Sequence, residues 1–401
     1  MNKLDNIFNS FVKNNLFQNK MILQSNYNPE QIEHRDEQIE AIASILAPAL
    51  RGERASNLFV YGKTGSGKTL SVKHVGDKIL DKIKSLGEEH LKVIYINCKL
   101  KKVSDTEYRI LAEMIKELGG SVPATGLPTD QVYSRFINLI DNKKQVIIII
   151  LDEIDQAVKK ISDNFIYTLT RLNSDLKNAQ INIIGISNSL TFMDNLDPRV
   201  RSSLGEEELV FPPYNALQLQ DILKKRAERS FKKEVLEEGV IAKCAAYAAR
   251  EHGDARRALD LLRVAGEIAE RENSKKIKLE HIDAANHKIE KDKMLDIIES
   301  EPRQFQLVLY AIMKLENEKN REEGIFTGDV YNYYQEICEK TKNEVLTQRR
   351  VSDILAEYDM LGIINTRVIS KGRQGRTREI KLMLASNIKE KAKEILEKAV
   401  Y

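Results

Sequence analysis

The sequence has few cysteines, little net charge and no long apolar run. Its three cysteines, Cys98, Cys244 and Cys338, lie far apart in 401 residues, so they argue against a zinc site and against a disulfide framework. No run of about 18 uninterrupted apolar residues occurs, which argues against a membrane-spanning helix. The opening residues MNKLDNIFNSF also lack the basic-then-apolar plan of a signal peptide. We therefore expect a cytoplasmic chain with no membrane partner.

The formal net charge is only +3, although 31% of the residues are charged. Affinity for a polyanion must therefore come from a local cluster. One cluster lies in TRVISKGRQGRTREIKL (366–382), where six cations accompany a single carboxylate, Glu379. Surface cations also keep an edge strand soluble. Six cations with only one carboxylate are more than solubility requires, so the cluster favours contact with a nucleic acid.

The first half of the chain alternates apolar, β-branched runs with longer stretches of helical period. This alternation predicts βαβ units and a parallel sheet that is buried on both faces. We predict an α/β domain over residues 1–214. Its predicted strands are NLFVY (57–61), KVIYIN (92–97), VIIIIL (146–151), INIIGIS (181–187) and ELVF (208–211).

Beyond residue 214 the strand pattern disappears and successive amphipathic helices follow, which predicts a small helical domain over residues 215–295. A third domain is predicted over residues 296–401, since 401 residues exceed what one core usually organises. Its predicted elements are helices at 303–318, 327–340, 347–361 and 387–399 and strands at 363–369 and 379–384.

The segment YGKTGSGKT contains the spacing G-x-x-x-x-G-K-[ST] of a phosphate-binding loop. It follows a predicted strand and opens a helix, as that motif requires. Loop amides and the helix N-terminus attract phosphate oxygens, Lys68 reaches the terminal phosphates, and the Thr69 hydroxyl ligates Mg²⁺. A plain glycine-rich turn is the alternative. The predicted nucleotide-binding residues are Gly62, Lys63, Thr64, Gly65, Ser66, Gly67, Lys68 and Thr69.

Polar residues follow two of the later strands. Asp152 and Glu153 end a buried strand, where ligands bind in open α/β sheets. We predict that Asp152 binds Mg²⁺ and that Glu153 polarises the attacking water of ATP hydrolysis. Asn188 ends the next strand, and its amide is a candidate to orient that water or to contact the γ-phosphate. An asparagine there is equally typical of a turn.

These motifs, taken in order, resemble the AAA+ ATPases. They resemble more closely the archaeal replication initiators related to the large subunit of the origin recognition complex and its helicase-loading paralogue. The resemblance runs from about residue 28 to the C-terminus. It implies an AAA+ parallel-sheet α/β domain with a helical lid, followed by a winged-helix domain that binds duplex DNA. The segments that carry it are EHRDEQI, GKTGSGKT, LDEID, ISNSL, LDPRVRSSLGEEELVFPPY and GDARRALDLL.

The resemblance also implies roles for single residues. Asn188 becomes the first sensor, and Arg256 becomes the second sensor, which reaches the γ-phosphate from the lid; Arg257 is the alternative. Tyr214 and Arg226 are implied to lie beside the nucleotide where the first two domains meet. Without the resemblance, the favoured interpretation of Tyr214 would be part of a rigid turn. That of Arg226 would be a solvated charge on a helix.

The chain departs from the wider AAA+ pattern at the arginine finger. Many AAA+ proteins carry that arginine directly after a serine, whereas this chain has Ser203 at the corresponding position in PRVRSSL. Arg199 and Arg201 are the alternatives. Without a finger, we expect slow hydrolysis by a monomer.

The segment LTQRRVSDILAEYDMLGIIN predicts the recognition helix of a helix-turn-helix. Thr347 is its expected N-cap and Gly362 its stop. The first turn of such a helix faces the major groove, and the basic segment after it forms a hairpin wing. The predicted DNA-binding residues are Thr347, Gln348, Arg349, Arg350, Lys371, Arg373, Arg376 and Arg378.

The leading functional hypothesis is an ATP-dependent replication initiator that binds origin duplex DNA and helps to load the replicative helicase. Its expected cofactors are ATP and Mg²⁺, and its expected partners include other initiator subunits. We expect it to be cytoplasmic and associated with the nucleoid. The alternatives are a nucleotide-binding transcription regulator and a signalling ATPase whose winged helix is autoinhibitory.

Overall fold

A computed structural model describes residues 15–25, 27–99, 106–123, 126–318, 324–370, 376–384 and 386–400. The chain divides into two compact units, with the division between Ile282 and Asp283. Among the described residues, no helix combines the length and the apolar character needed to cross a bilayer.

A five-stranded parallel sheet forms the centre of the first unit, as the sequence predicts. Its spatial order is β2-β3-β4-β1-β5, and all four neighbouring pairs are parallel. The strands are β1 (Leu58–Gly62), β2 (Leu91–Asn97), β3 (Gln145–Asp152), β4 (Ala179–Ser187) and β5 (Glu207–Phe211).

The sheet is covered on both faces, and strand β3 has apolar side chains on both of its faces. Ile147 and Ile149 of β3 belong to one core layer, while Ile148 and Ile150 belong to the other. All eight residues of β3 are buried, which explains its continuous apolar run. Helices α1 (Asp36–Leu46) and α2 (Lys68–Ser85) cover one face. The other face is covered by α3 (Glu107–Glu117), α4 (Thr129–Ile140), α5 (Ile154–Ile161), α6 (Asn164–Arg171) and α7 (Pro198–Leu204).

Three helices follow the sheet and form the lid: α8 (Ala216–Ser230), α9 (Val240–Arg250) and α10 (Ala255–Arg271). A capping box between Asn215 and Gln218 starts α8. The Asp254 carboxylate starts α10 by accepting from the first backbone amides of that helix. Both caps satisfy amides that a helix N-terminus otherwise leaves without partners.

The described N-terminal residues pack on the lid rather than on the sheet. Phe17 stacks on Phe231 with ring centroids 4.7 Å apart. The backbone amides of Gln18 and Asn19 donate to the Ser230 carbonyl at 2.7 and 3.0 Å. Nothing in the sequence pattern predicts this arrangement, because it depends on contacts between residues more than 200 positions apart.

The second unit has a helical core and a small antiparallel sheet. Helix α11 (Leu279–Ser300) contains the division between the units. A buried cluster that includes Leu309, Tyr334, Leu355 and Ile380 joins the helices to the sheet. The sheet order is β6-β8-β7, and the sequence did not predict β6. The elements are α12 (Arg303–Glu318), β6 (Ile325–Phe326), α13 (Thr327–Thr341), α14 (Gln348–Met360), β7 (Ile364–Ser370), β8 (Arg376–Leu382) and α15 (Ser386–Val400).

Candidate functional site

A cavity of about 990 Å³ lies above the carboxyl ends of the sheet strands, between the sheet and the lid. Most of the sequence-predicted nucleotide residues meet here. Gly62 and Ser66 are buried in the loop, and the Lys63 side chain is exposed. The predicted residues that line the cavity are Thr64, Gly65, Gly67, Lys68, Thr69, Asp152, Glu153, Asn188, Tyr214, Arg226 and Arg256.

The Lys68 ammonium is the best-coordinated cation of the cavity. Its Nζ atom donates to the carbonyls of Gly62 and Lys63 at 2.8 and 2.9 Å and to Asn188 Oδ1 at 2.9 Å. Burial lowers the pKa of Lys68 to about 8, although nearby Asp152 raises it. An ammonium that has lost this much hydration is stabilised by an anion placed against it.

The loop glycines hold conformations that other residues rarely adopt. Gly65 and Gly67 have φ angles of +72° and +94°. A Cβ atom on Gly65 would lie 1.8 Å from Asp254 Oδ1, so the loop approaches the first turn of lid helix α10 as closely as a backbone can. The Ala255 amide also donates to the Gly65 carbonyl at 3.3 Å. The loop and the lid therefore touch directly.

The Asp152 carboxylate is held by three donors at the end of β3. Thr69 Oγ1 and the Tyr95 hydroxyl donate to Oδ2 at 2.9 and 2.6 Å, and the Glu153 amide donates to Oδ1 at 3.0 Å. Burial, followed by the bond to Asp152, raises the pKa of Tyr95. Lys73 lies 3.3 Å above the centre of the Tyr95 ring.

Glu153 follows in a left-handed backbone conformation, with φ 54° and ψ 43°. Such a conformation costs a non-glycine residue roughly 1–3 kcal/mol and is concentrated at functional sites. The side chain is 20% exposed, and Oε2 lies 3.7 Å from the Lys99 ammonium. The turn thus places the carboxylate of Glu153 at the cavity wall beside Asp152.

The structure separates the two arginines that competed for the second sensor. Arg256 lines the cavity and is exposed. Arg257 turns toward Glu251, with Nε 3.3 Å from the carboxylate. Adjacent residues of a helix point about 100° apart, and of these two only Arg256 belongs to the residues that line the cavity. The geometry favours Arg256.

Tyr214 and Arg226 lie on the lid side of the cavity, and each meets a partner from the N-terminal part of the chain. The Arg35 guanidinium lies 3.8 Å from the centre of the Tyr214 ring, and that of Arg226 lies 4.6 Å from the Tyr27 ring. Arg35 also donates to the Ser66 carbonyl of the phosphate loop at 2.8 Å and to the Pro212 carbonyl at 2.6 Å. It therefore clamps the loop to the start of the lid.

Sequence reasoning missed three residues of this site: Tyr95, Lys73 and Arg35. Arg35 lies within EHRDEQI, so its motif was visible but its contacts were not. Lys73 follows Thr69 by four residues, which places both on one face of α2. Tyr95 carried no signal, because a tyrosine in a β-strand is common.

The residues present suit a magnesium nucleotide. The glycine cradle has no room for side chains, the helix N-terminus of α2 faces the cavity, and Lys68 and Arg256 supply positive charge. Thr69 and Asp152 offer hard oxygen ligands, and Mg²⁺ usually takes one or two such groups and completes its shell with water and phosphate oxygens.

The two arginine-finger alternatives lie on α7 and are both exposed. Arg199 forms two contacts of 3.1 Å with its neighbour Asp197, and Arg201 lies 3.4 Å from Asp194. Exposed pairs of this kind contribute little stability. Neither pair would hold its arginine strongly against a competing anion.

In the second unit, the predicted recognition helix begins as expected. Thr347 Oγ1 accepts from the Arg350 amide, and α14 starts at Gln348. The exposed residues of this first turn include Gln348 and Arg349. Arg350 is partly engaged by its own helix, since it lies 3.9 Å from both Asp353 and Glu357.

The basic hairpin presents two different faces. Directly opposite residues of antiparallel strands share a face, so Arg367 lies with Glu379 on one face and Arg378 lies with Val368 on the other. Arg378 donates to the Ser352 carbonyl of α14 at 3.5 Å, which places it on the recognition-helix side. Of the other predicted wing residues, Lys371 and Arg373 lie outside the described residues, as does the side chain of Arg376.

Comparison with known families and proteins agrees with this architecture. Three family models match: an AAA domain over residues 51–193, the Cdc6 AAA+ ATPase-type lid domain over 220–287, and the CDC6 C-terminal winged helix domain over 296–392. The chain is 53% identical over 384 residues to an ORC1-type DNA replication protein of Pyrococcus abyssi, covering 94% of this chain and 90% of that protein.

Two further relatives extend this agreement. A Pyrococcus furiosus ORC1-type DNA replication protein is 52% identical over 392 residues, covering 96% of this chain and 91% of that protein. The solved structure of the Aeropyrum pernix ORC1 protein in complex with DNA is 43% identical and superimposes with a TM-score of 0.82, covering 94% of this chain and 97% of that one. The chain therefore belongs to the archaeal ORC1-type DNA replication proteins, a family of AAA+ ATPases with a Cdc6-type lid and a C-terminal winged helix.

Proposed function

We propose that this protein binds MgATP in the cavity above the sheet, hydrolyses it slowly, and binds replication-origin duplex DNA through its winged helix. The observation that carries the nucleotide part is the convergence of Lys68, Asp152, Asn188 and Arg256 on one cavity. Bound Mg²⁺ would neutralise phosphate charge, which is the main need of phosphoryl transfer.

Each residue then has a distinct task toward the nucleotide. Lys68 neutralises the terminal phosphates, and Asn188, which already contacts Lys68 at 2.9 Å, orients the water or the γ-phosphate. Glu153 accepts a proton from the attacking water. Arg256 contacts the γ-phosphate from the first turn of α10, so the position of the lid depends on whether that phosphate is present.

The direct contact between loop and lid supports a switch. A ligand shifts a conformational equilibrium only by its differential affinity for the two states. ATP and ADP differ by the γ-phosphate, which Arg256 is proposed to contact from the lid. We propose that ATP favours the pose of the lid that is competent for initiation and that hydrolysis ends it.

The DNA part rests on the exposed first turn of α14 and on the position of Arg378 beside it. The related Aeropyrum pernix ORC1 protein was solved in complex with DNA. Arg349 and Arg378 supply phosphate or base contacts from one side of the winged helix, and Lys371, Arg373 and Arg376 are proposed to extend them along the wing.

The experiment that tests the DNA part measures binding of a fluorescent origin duplex over a range of salt concentrations. An Arg349→Ala, Arg378→Ala double variant should bind less tightly, and the slope of log affinity against log salt should fall by about two, about one for each lost phosphate contact. Arg367→Ala is the matched control, because Arg367 lies on the opposite face of the hairpin. An unchanged slope in the double variant would remove these residues from the interface.

We further propose that the DNA-bound protein helps to load the replicative helicase, together with other initiator subunits, at the nucleoid. Helicase recruitment to origin DNA should then depend on the wild-type protein and change in a Glu153→Gln variant whose DNA affinity is unchanged. If that variant alters only transcription from the bound sites, the protein is a regulator. If the wild-type chain ignores duplex DNA at moderate salt, the autoinhibited signalling ATPase is favoured.

A further inference from the structure

Tyr95 occupies a position that the proposed ATPase roles do not explain. It stands on β2, where its backbone pairs with Ile150, two residues before the end of β3. Its hydroxyl nevertheless reaches Asp152 Oδ2 at 2.6 Å. The side chain therefore leans along the sheet toward the cavity, which it also lines.

The Asp152 carboxylate needs such a contact to hold one orientation. The torsion that turns a carboxylate about its Cβ–Cγ bond is broad, so hydrogen bonds decide the plane of the group. The Glu153 amide holds Oδ1, while Thr69 and Tyr95 both donate to Oδ2. Thr69 is itself a proposed metal ligand, and its hydroxyl must adapt when a metal binds. Tyr95 is not a proposed metal ligand, so its hydroxyl can keep its bond to Asp152 when a metal binds.

Tyr95 is in turn held in place from the helix above it. The Lys73 ammonium lies 3.3 Å from the ring centre, a cation–π contact that favours this position of the ring. Lys73 follows Thr69 by one turn of α2. The helix that carries the phosphate loop therefore holds both donors of Asp152 Oδ2, one directly and one through the ring.

We propose that Tyr95 is a positioning residue that holds the Asp152 carboxylate in the orientation required to bind the magnesium ion of a bound nucleotide. This inference rests on the proposed MgATP site. The competing explanation is that the hydroxyl merely finds a partner for a half-buried tyrosine. The two explanations predict different effects of magnesium. A residue that only supports the fold affects nucleotide binding equally with and without magnesium, whereas a positioning residue affects it only with magnesium.

The test compares Tyr95→Phe with wild-type protein, using ATP as the ligand and titrating MgCl₂. The variant keeps the ring and its contact with Lys73 but loses the hydroxyl. ATP affinity measured by calorimetry in EDTA should be unchanged, while the magnesium affinity of the ATP-bound protein should fall about 10-fold, as is typical when an outer partner of a metal ligand is removed.

Tyr61→Phe is the matched control. Tyr61 lies on β1 of the same sheet, where burial and the nearby carboxylate of Glu208 raise the pKa of its hydroxyl. Tyr61→Phe also removes a hydroxyl oxygen, but outside the cavity. Neither the ATP affinity in EDTA nor the magnesium affinity should therefore change. Thermal unfolding of both variants shows whether the fold is kept.

A double-variant cycle tests whether Tyr95 acts through Asp152. In an Asp152→Asn background, Tyr95→Phe should cause no further loss of magnesium affinity, because the group it positions is gone. An independent loss in that background would overturn the proposal. So would a Tyr95→Phe protein with unchanged magnesium affinity, or one whose ATP affinity falls equally in EDTA and in magnesium. Wild-type protein that binds no ATP in either condition would instead refute the proposed function itself.

Discussion

Single side chains decide the chemistry at the phosphate loop. The Lys68 ammonium has three protein acceptors within 3 Å, and a phosphate must compete with them. We expect the phosphate to displace a neutral acceptor, because a charged acceptor binds an ammonium about twice as strongly as a neutral carbonyl does. Burial makes the exchange more favourable still, since the ammonium has little water to lose.

We expect Lys68→Ala to weaken ATP binding by about 100-fold or more, the cost of losing a buried charge-assisted contact. Isothermal calorimetry measures this affinity. Lys78→Ala is the control, because Lys78 is exposed further along the same helix and does not belong to the residues that line the cavity. Equal affinity of Lys68→Ala and wild-type protein would show that the loop does not bind the phosphates.

Glu153 tests hydrolysis separately from binding. Glu153→Gln keeps the left-handed turn and the size of the side chain but removes the base. Phosphate release should fall about 100-fold, within the range for a lost general base, while ATP affinity should stay the same. Glu207→Gln, on the exposed edge strand, should affect neither. If Glu153→Gln hydrolyses ATP at the wild-type rate, another group activates the water.

At the scale of elements, the phosphate loop directly contacts the N-terminus of α10. Asp254 has two tasks there. It accepts from the Arg256 and Arg257 amides and so caps α10, and it leaves no space for a side chain on Gly65. Gly65, the helix cap Asp254 and Arg256 therefore belong to one contact between the loop and the lid.

Gly65→Ala should show what the protein loses when the contact between the phosphate loop and α10 is disturbed. The backbone alone costs an alanine at positive φ about 1 kcal/mol, and the clash with Asp254 adds to this. We expect a lower unfolding temperature and weaker ATP binding. Gly87→Ala is the matched control, with φ +74° and no atom of the described residues within 4 Å of the added Cβ. If both variants lose the same stability and neither loses affinity for ATP, the loop–lid contact has no role.

At the scale of the whole molecule, each of the two units has its own hydrophobic core. The first unit holds the two layers around the sheet, and the second holds the cluster around Tyr334 and Leu355. Separate cores favour separate cooperative transitions. Because ATP is proposed to bind the first unit alone, it should stabilise that unit selectively.

The three cysteines report on these transitions. Cys98 and Cys244 lie in the first unit and Cys338 in the second, and all are buried. Burial raises the pKa of Cys98 and Cys244 to about 12, so at pH 8 the folded thiols are protonated and react slowly. We expect a thiol reagent to label Cys98 and Cys244 together during thermal unfolding and Cys338 in a different transition. MgATP should delay only the first pair.

The same pKa shifts fix a pH dependence. Thiols of the unfolded chain ionise near pH 8.5, whereas the folded thiols of Cys98 and Cys244 stay protonated up to about pH 12. Between these pH values ionisation therefore stabilises the unfolded chain but not the folded one. The free energy of unfolding of the first unit should fall as pH rises from about 8.5 toward 12. Serine at both positions should reduce that fall, and an unchanged pH profile would contradict the assignment.

Much of the fold was predictable because buried strands and helices require characteristic patterns of apolar residues. The five parallel strands follow from runs of β-branched residues, the phosphate loop follows from glycine and lysine spacing, and the start of α14 follows from a threonine cap. The two-residue strand β6 was missed because a pair of apolar residues has no period to detect. The position of the N-terminal segment on the lid was missed because it rests on Phe17 and Phe231, which sequence proximity does not connect.

The candidate site divides in the same way. The sequence by itself was enough to predict that Lys68, Thr69, Asp152 and Glu153 belong to one site, because their proposed roles need fixed residue types at fixed distances from a strand or helix end. Only the tertiary structure decided that Arg256 rather than Arg257 faces the cavity, that Tyr95 holds Asp152, and that Arg378 and Arg367 lie on opposite faces of the hairpin. These outcomes depend on the direction of side chains from different elements, which is set when the elements pack and is not encoded in local spacing.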